Sequence, residues 1–341
     1  MKRLILHVGH GKTGSSAVQS ALALSTDALA AHGIHYPAHP SFEQARAGRI
    51  SAGNVNGRTL ISTARTALNA GRHDVLLSNE SLIHFFLDDP ALLDRVKALG
   101  AEVVVILYLR NPVEHAQSVY GQTVKRGGSV ARFDAFLDDY QTPAKVRAFL
   151  TLLDKAGVDV RIVNYSNHAD NILRSFEDAL TLPTGTLTPA PKARVNRSLT
   201  RSELEVQRMF NRHWGRRSSR FVSDALCNAL PDVPADRPSA SAKALAAFIA
   251  RQAPIVAEVN ALLPASEVYR LDPPQVGGDT GQGNLTFTPE QMEVLVAAIS
   301  ARIPNVLEHD RWHRLLIRLR GGQHGNIPTR LKRMIRRDKN G

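Results

Sequence analysis

The sequence predicts an α/β fold, a P-loop-type parallel sheet flanked by helices with a mainly helical C-terminal elaboration. Three observations predict it. Short, continuous apolar runs near residues 3–8, 74–78, 103–109 and 158–163 alternate with longer helical patterns as far as residue 180. Uninterrupted apolar strands belong to sheets covered on both faces. The first run ends in a glycine-rich turn that opens a helix, Gly9-His10-Gly11-Lys12-Thr13-Gly14-Ser15-Ser16. From Thr184 a Thr-, Gly- and Pro-rich linker replaces the alternation, and helical patterns follow.

Arg3 to Val8 reads as a buried strand, and Ser15 to about Ala31, rich in Ala and Leu, as one helix ended by His32-Gly33. Ile34-His35-Tyr36 stands before Pro37 and is extended, because the residue before proline avoids helical geometry. Residues 38–57 mix Gly, Asn, Ser and His without a period and read as a loop able to reach the first turn. A helix from Arg58 to Gly71 leads into the strand Asp74–Ser78, which runs on into Asn79-Glu80-Ser81. Ala91–Leu99 is helical, and Val103–Leu109 is the longest β-like run. The next helix starts at Pro112, a residue suited to a first helical turn, and stops at Gly127-Gly128. Two helices between Phe133 and Ala156, a strand at Val158–Val163 and a helix at Asp170–Leu180 complete the alternation. Past the linker, helices are expected at Thr200–Arg212, Phe221–Leu230, Ala240–Leu263 and Pro289–Arg302, with a Gly- and Pro-rich mobile stretch at Pro273–Asn284.

With 341 residues, 43% of them hydrophobic, the chain is long enough for one large α/β domain. We expect a single domain over 1–310, with a core at 1–183, a helical elaboration at 184–310 and a basic amphipathic tail at 311–341. No stretch approaches the roughly 20 apolar residues of a membrane span, and the first strand is too short for a leader. The lone cysteine, Cys227, excludes an internal disulfide and fits a reducing, cytoplasmic location. No Cys or His cluster has metal-ligand spacing, so no metal is expected.

The chemistry concentrates at three strand ends. The turn at residues 9–16 combines three glycines, the Lys12 ammonium and the hydroxyls of Thr13, Ser15 and Ser16 at a helix N-terminus, which makes an anion cradle. It is not the usual nucleoside-triphosphate loop, which needs a glycine five residues before the Gly-Lys pair; here that place holds Leu6. Glu80 follows the second long strand and is a candidate base, or else a helix-capping carboxylate or lysine partner. Arg110 leaves the longest strand at its end, with Ser118 two turns along the next helix, which suits a second phosphate. The competing reading is an ion pair of Arg110 with Glu114. His7 and His10 flank the first glycines, and His10 touches a substrate, assists the base or is simply a hydrogen-bonded surface group.

Lys12-Thr-Gly-Ser-Ser after a first strand resembles the 5′-phosphosulfate loop of sulfotransferases that use 3′-phosphoadenosine 5′-phosphosulfate (PAPS). Arg110-Asn-Pro, with Ser118, Tyr120 and Gly127 downstream, is similar to that family's 3′-phosphate motif. The strand end Val163-Asn-Tyr165 and the Ile172–Pro183 helix and turn are softer matches. The resemblance covers roughly residues 3–200 and is closest to the bacterial and carbohydrate-directed branch. It implies PAPS as co-substrate, with Gly11, Lys12, Thr13, Gly14, Ser15 and Ser16 on the 5′-phosphate, and Arg110 and Ser118 on the 3′-phosphate. Glu80, at a position where similar enzymes place a glutamate, would be the base, although Ser81 replaces the lysine that often follows it. Arg197 in Asn196-Arg197-Ser198 would close over the nucleotide as a basic loop does in similar enzymes, with Lys192 and Arg194 equally available. The acceptor implied is a hydroxyl of a carbohydrate or glycolipid. Two alternatives stay open: a magnesium-dependent small-molecule kinase with an abbreviated P-loop, and a nucleotide-binding or membrane-recruited scaffold without turnover.

Of the +12 formal charge, +9 falls between Arg311 and Gly341, where ten Lys or Arg face the single acid Asp338. Trp312, Leu315, Leu316 and Leu319 recur at helical spacing among arginines, and Leu331, Met334 and Ile335 repeat the pattern. Such a tail suits an anionic membrane surface at the inner face, an anionic polysaccharide or plain solvent. Nucleic acid is not expected, since no nucleic-acid motif accompanies the charge.

Overall fold

The computed structural model describes residues 2–48, 53–71, 73–190, 197–234, 236–272 and 285–301. The tail at 311–341, the stretch 273–284, and Lys192, Arg194 and Asn196 lie outside the described residues. The chain forms two compact units, Met1–Thr286 and Phe287–Gly341. In the second, Pro289–Ser300 is a helix with a Thr288/Gln291 capping box.

The first unit is built on five parallel strands, β1 (Arg3–Gly9), β2 (Ile34–His35), β3 (Asp74–Ser78), β4 (Glu102–Leu109) and β5 (Asp159–Asn164), in the order β2-β3-β1-β4-β5. β1 is central: Ile5 pairs with Leu76 on one side and Val104 on the other. Because side chains alternate along a strand, Leu4, Leu6 and Val8 face one layer of helices and Ile5 the opposite one. The first layer sets Leu60, Phe86, Val96 and Phe149 against Val105 and Leu107. The second sets Val18 and Leu22 of the Ser15–Leu24 helix and Phe176 against Ile106 and Tyr108. Each buried Leu, Val, Ile or Phe contributes about 1.5–3 kcal/mol relative to exposure, so two filled faces hold the sheet between its helices.

The helices Arg201–Trp214, Ser223–Ala229 and Ala242–Asn260 follow in the first unit. Leu204, Cys227 and Phe248 pack with Val113, Ala116, Tyr120 and Val124 of the Pro112–Gly127 helix in a third apolar cluster, while Val256 and Val259 join the core of the sheet. Among the described residues no helix is long and apolar enough to cross a membrane.

Three elements differ from expectation. The helix expected over 15–31 is two, Ser15–Leu24 and Thr26–Ala31, broken at Ser25, whose hydroxyl accepts the distant Thr188 amide at 2.8 Å. The loop expected at 38–57 contains a one-turn helix, Phe42–Arg46, and Leu82–Asp88 after Glu80 is a helix.

Candidate functional site

In open parallel sheets ligands bind beyond the C-terminal ends of the strands, where the chain departs to either side of a central strand. Here that point is the end of β1. Gly9 closes the strand, and a Cβ there would stand 2.8 Å from the Tyr108 carbonyl oxygen, so the β1–β4 pairing admits only glycine. The chain then turns through two left-handed residues, Lys12 at φ 72° and Gly14 at φ 83°. A Cβ on Gly14 would meet Ile172 Cδ1 at 2.0 Å. A non-glycine residue held left-handed stores about 1–3 kcal/mol of strain, a feature that clusters at ligand clamps. Gly11, by contrast, borders open space. No side chain caps the Ser15–Leu24 helix that follows; the Ala17 amide bonds the Gly14 carbonyl at 2.9 Å, leaving the Ser15 and Ser16 amides at the open end.

The loop hydroxyls divide. Thr13 is buried and donates to the His10 carbonyl at 2.9 Å, with Ser15 Oγ 3.4 Å away, so this hydroxyl braces the loop instead of facing a ligand. Ser16 is exposed on the wall of a cleft of about 740 Å³, which Gly11, Lys12 and Gly14 also line.

The opposite wall comes from the end of β4. Asn111 accepts from Asn164 Nδ2 at 3.0 Å and from the Arg270 amide at 3.1 Å, fixing the chain where the Pro112–Gly127 helix begins. Just before it, Arg110 donates through Nη1 to the Lys12 carbonyl at 2.9 Å, stacks its guanidinium 5.1 Å from the Tyr165 ring centre and lies 3.6 Å from the Glu114 carboxylate. The ion pair weighed against a ligand role is therefore present, but long, and the same arginine ties the two walls together. Ser118, Gly121, Gln122 and Lys125 continue along the cleft at i, i+3, i+4 and i+7, one face of the helix. From the third side, Glu80 after β3 accepts from Gln19 Nε2 at 3.0 Å and lines the same cleft.

The charge of the cleft is lopsided. Six lining cations, Lys12, Arg110, Lys125, Arg126, Arg197 and Arg237, stand against Glu80, Glu114 and Asp236, but Arg197 is paired with Glu203 and Arg126 with Asp224 outside the lining, which leaves a formal excess of one positive charge. Lys12 has solvent contact, yet the cleft walls displace much of its water; this loss of hydration, then Arg110 and Lys125, lowers its pKa. Burial likewise lowers that of Arg110, partly offset by Glu114. Among the described residues Lys12 has no ion-pair partner, so the concave, cationic wall is disposed toward an anion. No group of three or more His, Cys, Asp or Glu among the described residues is placed to hold a metal ion.

Two residues singled out in the sequence are differently employed. Arg197 borders the cleft, but its guanidinium grips Glu203 with two bonds of 2.7 Å and donates to the Leu230 carbonyl at 2.6 Å. Its donors are committed to that buried pair and not to the cleft. The Thr200-x-x-Glu203 capping box is a sequence signal for where Glu203 sits. His10 is buried beneath the loop, its ring edge-on to His115 with centres 4.1 Å apart, and burial followed by the proximity of His115 holds its pKa well below the usual histidine value.

His115, not singled out in the sequence, bonds the Gly11 carbonyl through Nε2 at 2.9 Å and Tyr140 Oη through Nδ1 at 2.7 Å. A carbonyl only accepts, so Nε2 carries the proton and Nδ1 receives the tyrosine hydroxyl. Gln19, Lys125, Arg126 and Arg237 were also missed. The polar stripe from Ser118 to Lys125 was the available signal for Lys125; the others reach the cleft only through tertiary packing. No family model, curated protein or solved structure matches the chain.

Proposed function

We propose that this protein is a sulfotransferase that moves the sulfuryl group of PAPS to a hydroxyl of a carbohydrate or glycolipid. The observation that carries the reading is the convergence, in one cationic cleft, of Lys12 with the open helix start at Ser15 and Ser16, of Arg110 with Ser118, and of the Glu80 carboxylate. Anion-binding groups from the β1 turn and from the end of β4 meet in this one cleft, which suits a ligand carrying two phosphates, and a volume of about 740 Å³ suits a nucleotide with an acceptor beside it. In this reading the 5′-phosphate lies on Lys12 and the first-turn amides, and the 3′-phosphate on Arg110 and Ser118.

The reaction is an in-line displacement at sulfur. The acceptor oxygen forms the new S–O bond as the bond from sulfur to the 5′-phosphate oxygen breaks, releasing adenosine 3′,5′-bisphosphate. The acceptor proton passes to Glu80, which Gln19 orients, and the Lys12 ammonium neutralises charge on the departing oxygen. In this reading the region after residue 184, from which Ser198, Leu199, Leu204 and Pro238 line the remaining wall, takes the acceptor.

The test is calorimetric titration with adenosine 3′,5′-bisphosphate in EDTA, beside ATP with magnesium and beside Arg110→Ala, followed by transfer of labelled sulfate from PAPS to glycan and glycolipid acceptors. Micromolar, metal-independent binding that collapses in the variant, with transfer, is expected. Magnesium-dependent ATP binding without bisphosphate binding would sink the reading in favour of a kinase. Tight bisphosphate binding without transfer to any acceptor would favour a scaffold.

A further inference from the structure

The helix Arg201–Trp214 runs directly into a short 3-10 helix, Gly215–Arg220. Over this join the sequence His213-Trp-Gly-Arg-Arg-Ser-Ser-Arg-Phe221 sorts by face. Ser218 and Ser219 are buried: Gln207 Nε2 donates to Ser218 Oγ at 2.6 Å, and Ser219 Oγ donates to the Lys125 carbonyl at 2.5 Å. Asn211 adds bonds to the Val124 and Ser129 carbonyls at 2.8 and 2.9 Å, and Gly128 abuts the Arg216 backbone so closely that a Cβ would stand 2.5 Å from its nitrogen. The segment is thus bolted to the last turn of the Pro112–Gly127 helix.

What it presents outward is unusual. Arg212, Arg216, Arg217 and Arg220 are exposed, and among the described residues none of them has an ion-pair partner. Trp214 is 44% exposed, edge-on to Phe221 at 4.6 Å and to Phe210 at 6.2 Å, and Met209 on the same helix is also 44% exposed. Four like charges on a fixed segment repel one another, and an exposed indole leaves apolar area in water. An anionic lipid surface relieves both. Arginine forks pair with lipid phosphates, and an indole sits at headgroup depth with its ring in the apolar boundary.

We propose that this surface docks on an anionic phospholipid membrane, with Trp214 inserted and the arginines on the headgroups. A soluble polyanion would use the charge but give the exposed indole of Trp214 nothing to enter, so the pairing of indole and arginines favours lipid. The docking does not rest on the sulfotransferase reading.

The chain has two tryptophans, Trp214 and Trp312, so the full-length Trp312→Phe variant makes Trp214 the only indole reporter. It is mixed with phosphatidylcholine vesicles, with vesicles containing phosphatidylglycerol, and with the latter carrying brominated acyl chains. A blue shift and quenching of Trp214 on the anionic vesicles alone are expected. Adding Arg216→Ala and Arg217→Ala should weaken partitioning roughly 30-fold, each basic residue at such a surface contributing about fivefold. Both side chains are exposed, so the variant's thermal melt should be unchanged. Three results would overturn the proposal: unchanged Trp214 emission while the chain sediments with vesicles, partitioning indifferent to the two arginines, or an emission response to heparin or RNA and not to lipid.

Discussion

His115 fixes the Gly11 carbonyl and receives the Tyr140 hydroxyl, an arrangement open only to the neutral imidazole. Burial pushes its pKa down to about 4, and burial pushes His7, held at 2.8 Å by Ser78 Oγ, down to about 3. The sign follows from linkage. An unfolded histidine takes up its proton near pH 6.5, whereas these two stay neutral in the fold, so their stability is complete above pH 6.5 and is lost as the pH falls toward about 4. Each contributes a slope of up to about 1.36 kcal/mol per pH unit in that window. Urea unfolding between pH 7 and pH 4.5 should show the decline, and His115→Gln should flatten it by about one proton; an equal slope in the variant would refute the assignment. Glu80→Gln tests the chemistry instead, because the amide oxygen can still accept from Gln19. Transfer should fall by about 10²–10⁴-fold while bisphosphate affinity persists; unchanged turnover would remove Glu80 as the base. Lys12, Glu80 and Arg110 were legible as cleft-lining residues because each lies within three residues of the end of an apolar strand. His115 was not, because its nearness to the loop depends on how its helix seats against the sheet.

The strand, turn and helix at residues 3–24 act as one element, and its glycines have separate tasks. Gly14 needs a left-handed backbone and also has no room for a Cβ beside Ile172 and Tyr165, whereas Gly33 is left-handed at φ 75° with open space around it. Gly33→Ala should therefore cost only the conformational part, about 1 kcal/mol, and Gly14→Ala clearly more, about 2 kcal/mol or beyond, since packing must also shift. Equal unfolding midpoints for the two variants would show that the Ile172 contact is not restrictive. The Arg201–Trp214 helix carries a comparable device at its start. Glu203 caps Thr200 and pairs with Arg197, the carboxylate being fully buried. Glu203→Ala leaves the guanidinium unpaired and should destabilise by about 3–5 kcal/mol in chemical unfolding; a loss below 1 kcal/mol would mean Arg197 finds water. The strands and the longer helices were readable from apolar period and punctuation, down to the Gly128 stop, whereas the short helices Phe42–Arg46 and Leu82–Asp88 were not. The break at Ser25 was not, and the amide that its hydroxyl accepts there lies 163 residues away. Nor was the assignment of Arg197, whose basic neighbours looked equivalent until Glu203 selected it.

At the scale of the whole first unit, the order β2-β3-β1-β4-β5 converts sequence distance into proximity. Lys12 and Arg110 are 98 residues apart, yet a 2.9 Å bond joins them because β1 and β4 are neighbours in register. The parallel sheet was legible in the alternation of apolar strands with helices, but strand order was not, since nothing local states which strands pair. The same topology makes the cleft a junction between loops that otherwise share only the sheet. A dianionic ligand bridging Lys12 and Arg110 would cross-link those loops in the folded state and have nothing comparable to bind in the unfolded chain. At a concentration 100 times its dissociation constant it adds about 2.7 kcal/mol of stability. Adenosine 3′,5′-bisphosphate should accordingly raise the melting temperature by several degrees in EDTA, and the increment should fall as salt is raised, because the cleft's excess charge is partly open to solvent. Arg110→Ala should abolish the increment, and Lys12→Ala should reduce it separately, since each faces a different end of the ligand. Retention of the full shift in both variants would place the nucleotide elsewhere on the molecule and leave the convergence of the two strand ends without a ligand to explain it.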